Sequence, residues 1–244
     1  MRYGLSFPTL LILVLAGVAG CDDDVTDPDA FLESAEAEAV MESARQLPML
    51  PDLLAEASPG NVRERAILLR AQELWAAGAL TDGRADSRRR LAVGYALPVL
   101  VGSVPEEEWS AARDGMEEWM VTVERMLQQL RLPDVQERIV AARRYLARSE
   151  ASAGEDRRRR YYLLLAMSEL VETTPRFVAV KLVEEASRAV SRRGPPGEGA
   201  TRATERALER AERLKDWAEQ AVTEGEYLLA IQRAYYAVHL VEGS

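Results

Sequence analysis

The sequence predicts an all-α fold, and three observations carry the prediction. Ala, Leu, Glu and Arg dominate a 244-residue chain that is 48% apolar and only 6% aromatic. These residue types lose little on entering a helix. Apolar residues recur every three to four positions through most of the chain beyond residue 30, the period of a helix with one buried face. Proline, glycine and N-cap residues interrupt that period at short intervals, as helix stops and starts do. The expected architecture is antiparallel helix pairs forming an irregular bundle or a short solenoid.

Residues 30–47 read as a first helix, ended by Pro48, with Val40, Ala44 and Leu47 on its face. Residues 51–57 form one short helical turn, and Ser58-Pro59-Gly60 breaks the chain. Asn61 followed by Glu64 has the spacing of a capping box, opening a helix to about Ala79. Thr81-Asp82-Gly83 turns into a partner helix that ends near Val101, where Pro98 is expected to kink the last turn. Ser103, Pro105 and Glu106 mark the next start, with Ser103 as N-cap. The helix over 105–131 carries Trp109, Ala112, Met116, Trp119, Val123, Leu127 and Leu130 at clean 3/4 spacing. Gly115 within it gives up about 1 kcal/mol of helix propensity relative to Ala, which suits a close approach by another element.

Pro133 opens a helix to about Ser149, and Ala153-Gly154 closes it. Arg157–Arg160 place four cations at the next helix start, against the helix dipole, and read as a solvated face. Tyr161–Val171 is apolar on most sides, so it belongs at the centre. Thr174 is the expected N-cap of a helix from Pro175 to about Arg192. Gly194–Gly199 reads as a long loop within one assembly. A charged helix over 200–222 and a last helix over 226–241 follow, joined at Glu224-Gly225-Glu226. Short connections favour the pairs 61–79 with 84–101, 105–131 with 133–149, 155–171 with 175–191, and 201–222 with 226–241.

The N-terminal stretch has a different character. Met1 and Arg2 precede an apolar run, TLLILVLAGV, and small residues lead to Cys21, the only cysteine. That is the order of a secretory signal peptide, and the run is short for a membrane span of about 20 residues. Val18-Ala19-Gly20-Cys21 resembles a bacterial lipobox. The resemblance implies cleavage between Gly20 and Cys21 and attachment of diacylglycerol to the Cys21 sulfur. The expected organisation is then a signal peptide over 1–20, an acidic tether over 21–30 and a helical domain over 31–244. Asp22 resembles the signal that retains a lipoprotein at the inner membrane, so the implied location is the extracytoplasmic side of a bacterial envelope, leaning to that membrane.

A second resemblance lies at the other end. Gly225-Glu226-Tyr227 with Ala230, Ala234 and Ala237 looks like part of a tetratricopeptide helix pair, which implies close helix crossing beside a glycine turn. The 34-residue period of such an array does not recur along the chain.

Chemistry is constrained by what the chain lacks. It has one histidine, His239, and one cysteine, too few for the usual zinc sites or a Cys–His nucleophile pair. No phosphate loop or dinucleotide fingerprint is present, and no cofactor is expected. A formal net charge of −9 is unfavourable for nucleic acid. Glu33-Ser34 and Glu42-Ser43 match the catalytic dipeptide of lytic transglycosylases, but the glycine-rich sequence that follows it in that family is missing. The expectation is a non-catalytic, lipid-anchored helical protein that interacts with a protein partner. The alternative is a lipoprotein that binds a small apolar or cationic ligand, and Trp109, Trp119, Tyr161 and Tyr162 are the candidate ligand or partner surface for either. A carboxylate-based glycan enzyme ranks below both.

Overall fold

The computed structural model describes residues 34–79, 83–130, 132–194 and 201–242. The proposed signal peptide, the tether, Cys21 and most of the glycine-rich loop lie outside the described residues. Ten helices account for nearly all of what is described: α1 (Ser34–Gln46), α2 (Leu50–Glu56), α3 (Val62–Gly78), α4 (Ala85–Ser103), α5 (Glu106–Gln129), α6 (Pro133–Ala151), α7 (Asp156–Leu170), α8 (Pro175–Arg193), α9 (Arg202–Glu224) and α10 (Tyr227–Glu242). A single 3-10 turn, Val171–Thr173, joins α7 to α8. No strand occurs among the described residues, so the all-α class holds.

Local signals set the ends. The Asn61 side chain accepts from the Glu64 amide at 3.0 Å, while Glu64 reaches back to the Gly60 amide at 2.6 Å. Gly225 closes α9 in the left-handed region, φ 84°, which an L side chain rarely adopts. One start differs from expectation. Ser103 does not cap α5, because α4 continues through Pro98 and ends on Ser103, whose hydroxyl donates to the Val99 carbonyl at 2.9 Å. Thr174 does occupy the N-cap of α8, but its hydroxyl turns back to the Val171 carbonyl at 2.8 Å.

The pairing is offset from the expected one. Three close hairpins form, α3/α4, α6/α7 and α9/α10. The two other expected pairs, α5 with α6 and α7 with α8, are not hairpins. Instead α5 lies across α1, α6 and α7, and α8 packs on α10 and α9. The α3/α4 and α6/α7 hairpins meet through α4 and α7. The 3-10 turn touches α6, α7 and α8 and so links the first seven helices to the last three.

One continuous apolar core runs from Val40 on α1 to Val241 on α10. The central prediction for α7 holds: every residue from Leu163 to Leu170 is buried. Two glycines show how tight the packing is. Gly115 lies against the Pro48 ring, where a Cβ would sit 2.9 Å from Cδ. At Gly78 a Cβ would meet Arg89 Cγ at 2.6 Å and the Ala85 carbonyl at 3.0 Å. Gly94, on the exposed side of α4, has nothing within 4 Å of the same position. Opposite outcomes follow in thermal unfolding. Gly78→Ala should destabilise by about 1–3 kcal/mol through overpacking, and Gly94→Ala should stabilise by about 0.5–1 kcal/mol through helix propensity.

Candidate functional site

The 3-10 turn sets the site. Thr173, Thr174 and Pro175 prevent α7 from continuing, and the turn delivers Glu172 beside α6 and α8, within reach of Arg89 on α4. Trp119 of α5 fixes that turn by donating its indole N–H to the Thr173 hydroxyl at 2.8 Å. Two carboxylates thus enter an apolar interior, Glu169 from α7 and Glu172 from the turn, and both are buried. Buried charges require partners, and arginines of α4 and α6 supply them.

Arg89, with no exposed surface, ion-pairs with Glu172 and donates to the Gly78 carbonyl at 2.5 Å. Arg138 donates to Glu169 Oε2 at 2.7 Å and pairs with Glu172 Oε2 at 2.9 Å. Arg90 spans Glu169 Oε1 at 3.3 Å and Asp86 Oδ2 at 3.1 Å. All four oxygens of the two glutamates are therefore occupied by guanidinium nitrogens. Three arginines and three acids balance, so the network carries no net charge. Burial opposes the charge on Arg138, yet the hydrogen bond to Glu169 and the charges of Glu172, Glu169 and Asp86 outweigh it and raise its pKa above the ordinary arginine value.

Outside this network lies a cleft of about 330 Å³. Arg138 and Glu172 form its inner edge. The first turns of α6 supply Leu132, Asp134 and Val135. Helix α8 supplies Val178, Lys181, Leu182 and Glu185, and α10 supplies Tyr235, Val238, His239 and Glu242. Each of these two sets follows the i, i+3, i+4, i+7 spacing of one helix face. Lys181 Nζ lies 2.6 Å from Asp134 Oδ2. The His239 ring stacks at a tilt on Tyr235, with centroids 4.0 Å apart. No group of three or more His, Cys, Asp or Glu side chains among the described residues is placed to hold a metal ion.

The aromatic candidates lie elsewhere. Trp109 and Trp119 are buried in the core, so they offer no partner surface, and their stripe is packing rather than groove. The Arg160 guanidinium sits 5.3 Å over the Trp109 ring. Tyr161 is exposed and Tyr162 half-buried, with Arg148 and Arg158 each about 6 Å from the Tyr162 ring. The four do not line one pocket. The basic run is also largely structural. Arg159 and Arg160 both reach Glu106 in the first turn of α5, at 2.7 and 3.0 Å, and Arg160 donates to the Val101 carbonyl. Burial alone would raise the Glu106 pKa, but hydrogen bonds and charges from Arg160 and Arg159 lower it. Its contribution to stability is thus complete above the ordinary carboxylate range and is lost as pH falls through the lowered value.

No known protein family, curated protein or solved structure matches this chain. The cleft and the network are accordingly read from their own geometry. Sequence reasoning missed both. The usable signal was Glu169 and Glu172 within an otherwise apolar run, since charges there have to find partners.

Proposed function

We propose that the chain is a lipid-anchored, non-catalytic interaction protein on the extracytoplasmic side of a bacterial envelope. The observation that carries this reading is the order of the N-terminal residues: a basic start, a short apolar run, small residues, and then Cys21. It is supported by the helices themselves, none of which among the described residues is long and apolar enough to cross a membrane. Two lipid signals suffice for stable attachment, and residues 21–30 fully extended would give a reach of about 35 Å. The network at the 3-10 turn fits a non-catalytic role, because its carboxylate oxygens are already engaged by arginines.

The anchor is tested by Cys21→Ser in a bacterial host fed labelled palmitate. The native chain should take up label and sediment with membranes, and the variant should do neither. A variant that is still processed and still sediments with membranes would overturn the anchor. Capture from solubilised membranes should return the same protein partner reproducibly, and repeated failure to do so would count against the interaction role.

The cleft favours a second reading, a lipoprotein that binds a small ligand. Its volume lies at the lower end of the roughly 300–1,000 Å³ of ligand pockets. The location differs from that expected of Trp109 and Trp119: binding would occur between α6, α8 and α10.

A further inference from the structure

We propose that the cleft between α6, α8 and α10 binds an organic ammonium compound with an apolar body; this rests on the ligand-binding reading and names its ligand class. Both cations of the cleft are already ion-paired. Lys181 holds Asp134 at 2.6 Å, and Arg138 holds Glu169 and Glu172. His239 Nδ1 lies 3.0 Å from the Tyr235 carbonyl oxygen. That oxygen can only accept, so Nδ1 is the donor in this contact. The Tyr235 hydroxyl can donate or accept. Glu185 and Glu242 face the cleft with no ion-pair partner among the described residues.

The charges left without a partner in the cleft are therefore two carboxylates, and a cationic donor suits them. An ammonium group has three donors and no acceptor, and it is charged at neutral pH as a lysine amine is. The charge balance points the same way. Asp134, Glu172, Glu185 and Glu242 line the cleft against only Arg138 and Lys181, so an anion would meet an acidic site whose cations are occupied. A bare metal ion finds no converging ligand set. The walls, built by Val178, Leu182, Val238 and the Tyr235 ring, require apolar surface on the ligand.

Tryptamine is a suitable probe, with indole-3-propionate as its acidic counterpart and 3-methylindole as its neutral one. The chain's single histidine makes the measurement specific. In untagged protein, the imidazole proton resonances report on the cleft and need no assignment. Tryptamine should shift them saturably and bind at least tenfold more tightly than either counterpart. The double substitution Glu185→Gln and Glu242→Gln changes two exposed side chains, so helical content and melting should hold while tryptamine affinity falls about tenfold. Equal binding of all three probes, or undiminished binding by the double variant, would overturn the ammonium assignment and leave a ligand-binding cleft standing. No binding by any of the three at millimolar concentration, or saturation that leaves the His239 signals unmoved, would overturn the cleft itself as a ligand site.

Discussion

Arg89→Met is expected to destabilise the protein by about 3–5 kcal/mol, the cost of removing one partner from a buried ion pair. The side chain is fully buried and serves Glu172, the Gly78 carbonyl and, at 3.4 Å, the Ser168 hydroxyl. Methionine fills much of the space and satisfies none of those groups. For a chain of this size 1 kcal/mol corresponds to roughly 2–4 °C, so the melting temperature should fall by on the order of 10 °C. Adding Glu172→Leu should restore part of the loss, because the carboxylate oxygen that Arg89 leaves without a partner goes with it, while Arg138 keeps Glu169. Urea unfolding of the two variants measures the difference. A loss below about 1 kcal/mol for Arg89→Met would mean that water reaches Glu172.

Trp119→Ala is expected to cost a similar amount, about 3–5 kcal/mol, by emptying a fully buried site. Trp119→Phe separates volume from the hydrogen bond. It keeps most of the ring but removes the donor to Thr173, at an expected cost of about 1–3 kcal/mol. Thr173 would still donate to the Leu170 carbonyl at 2.8 Å, so the 3-10 turn should persist in a looser form. Thermal unfolding followed by circular dichroism ranks the pair. Equal losses would show that the indole matters only as volume.

These two side chains also show what was legible in the sequence. Trp119 stands in a 3/4 stripe, and that spacing placed it on one helix face, while its burial, against its reading as a ligand or partner surface, follows from how α5 packs. Helix ends among the described residues were readable to within about two residues because proline, glycine and capping groups act locally, as Asn61, Glu64 and Gly225 do. Pairing was less readable. A short connection brings two ends together but does not choose the neighbour, and the choice rests on which faces complement each other. Helix α5 spreads its contacts over α1, α6 and α7 on that basis. The ion network was hidden for the same reason: Arg89 and Glu172 lie far apart in the chain and meet only after four elements converge. Arg159 and Arg160 looked solvated because nothing in their own segment announces the arrival of Glu106.

Helix α9 adds a consequence for assembly. It packs mainly against α10 and α8, and its buried side is narrow: Leu208, Ala211, Leu214, Ala218 and Ala221. Its outer side alternates Arg202, Glu205, Arg206, Glu209, Glu212 and Arg213, all exposed. Stacked helical arrays lengthen by presenting an apolar face to the next unit, and they stop where the outermost helix is polar. A like-for-like stack on α9 would have to strip water from these interleaved charges, and the main apolar surface it would cover is Trp217, which lies half exposed beneath Arg233.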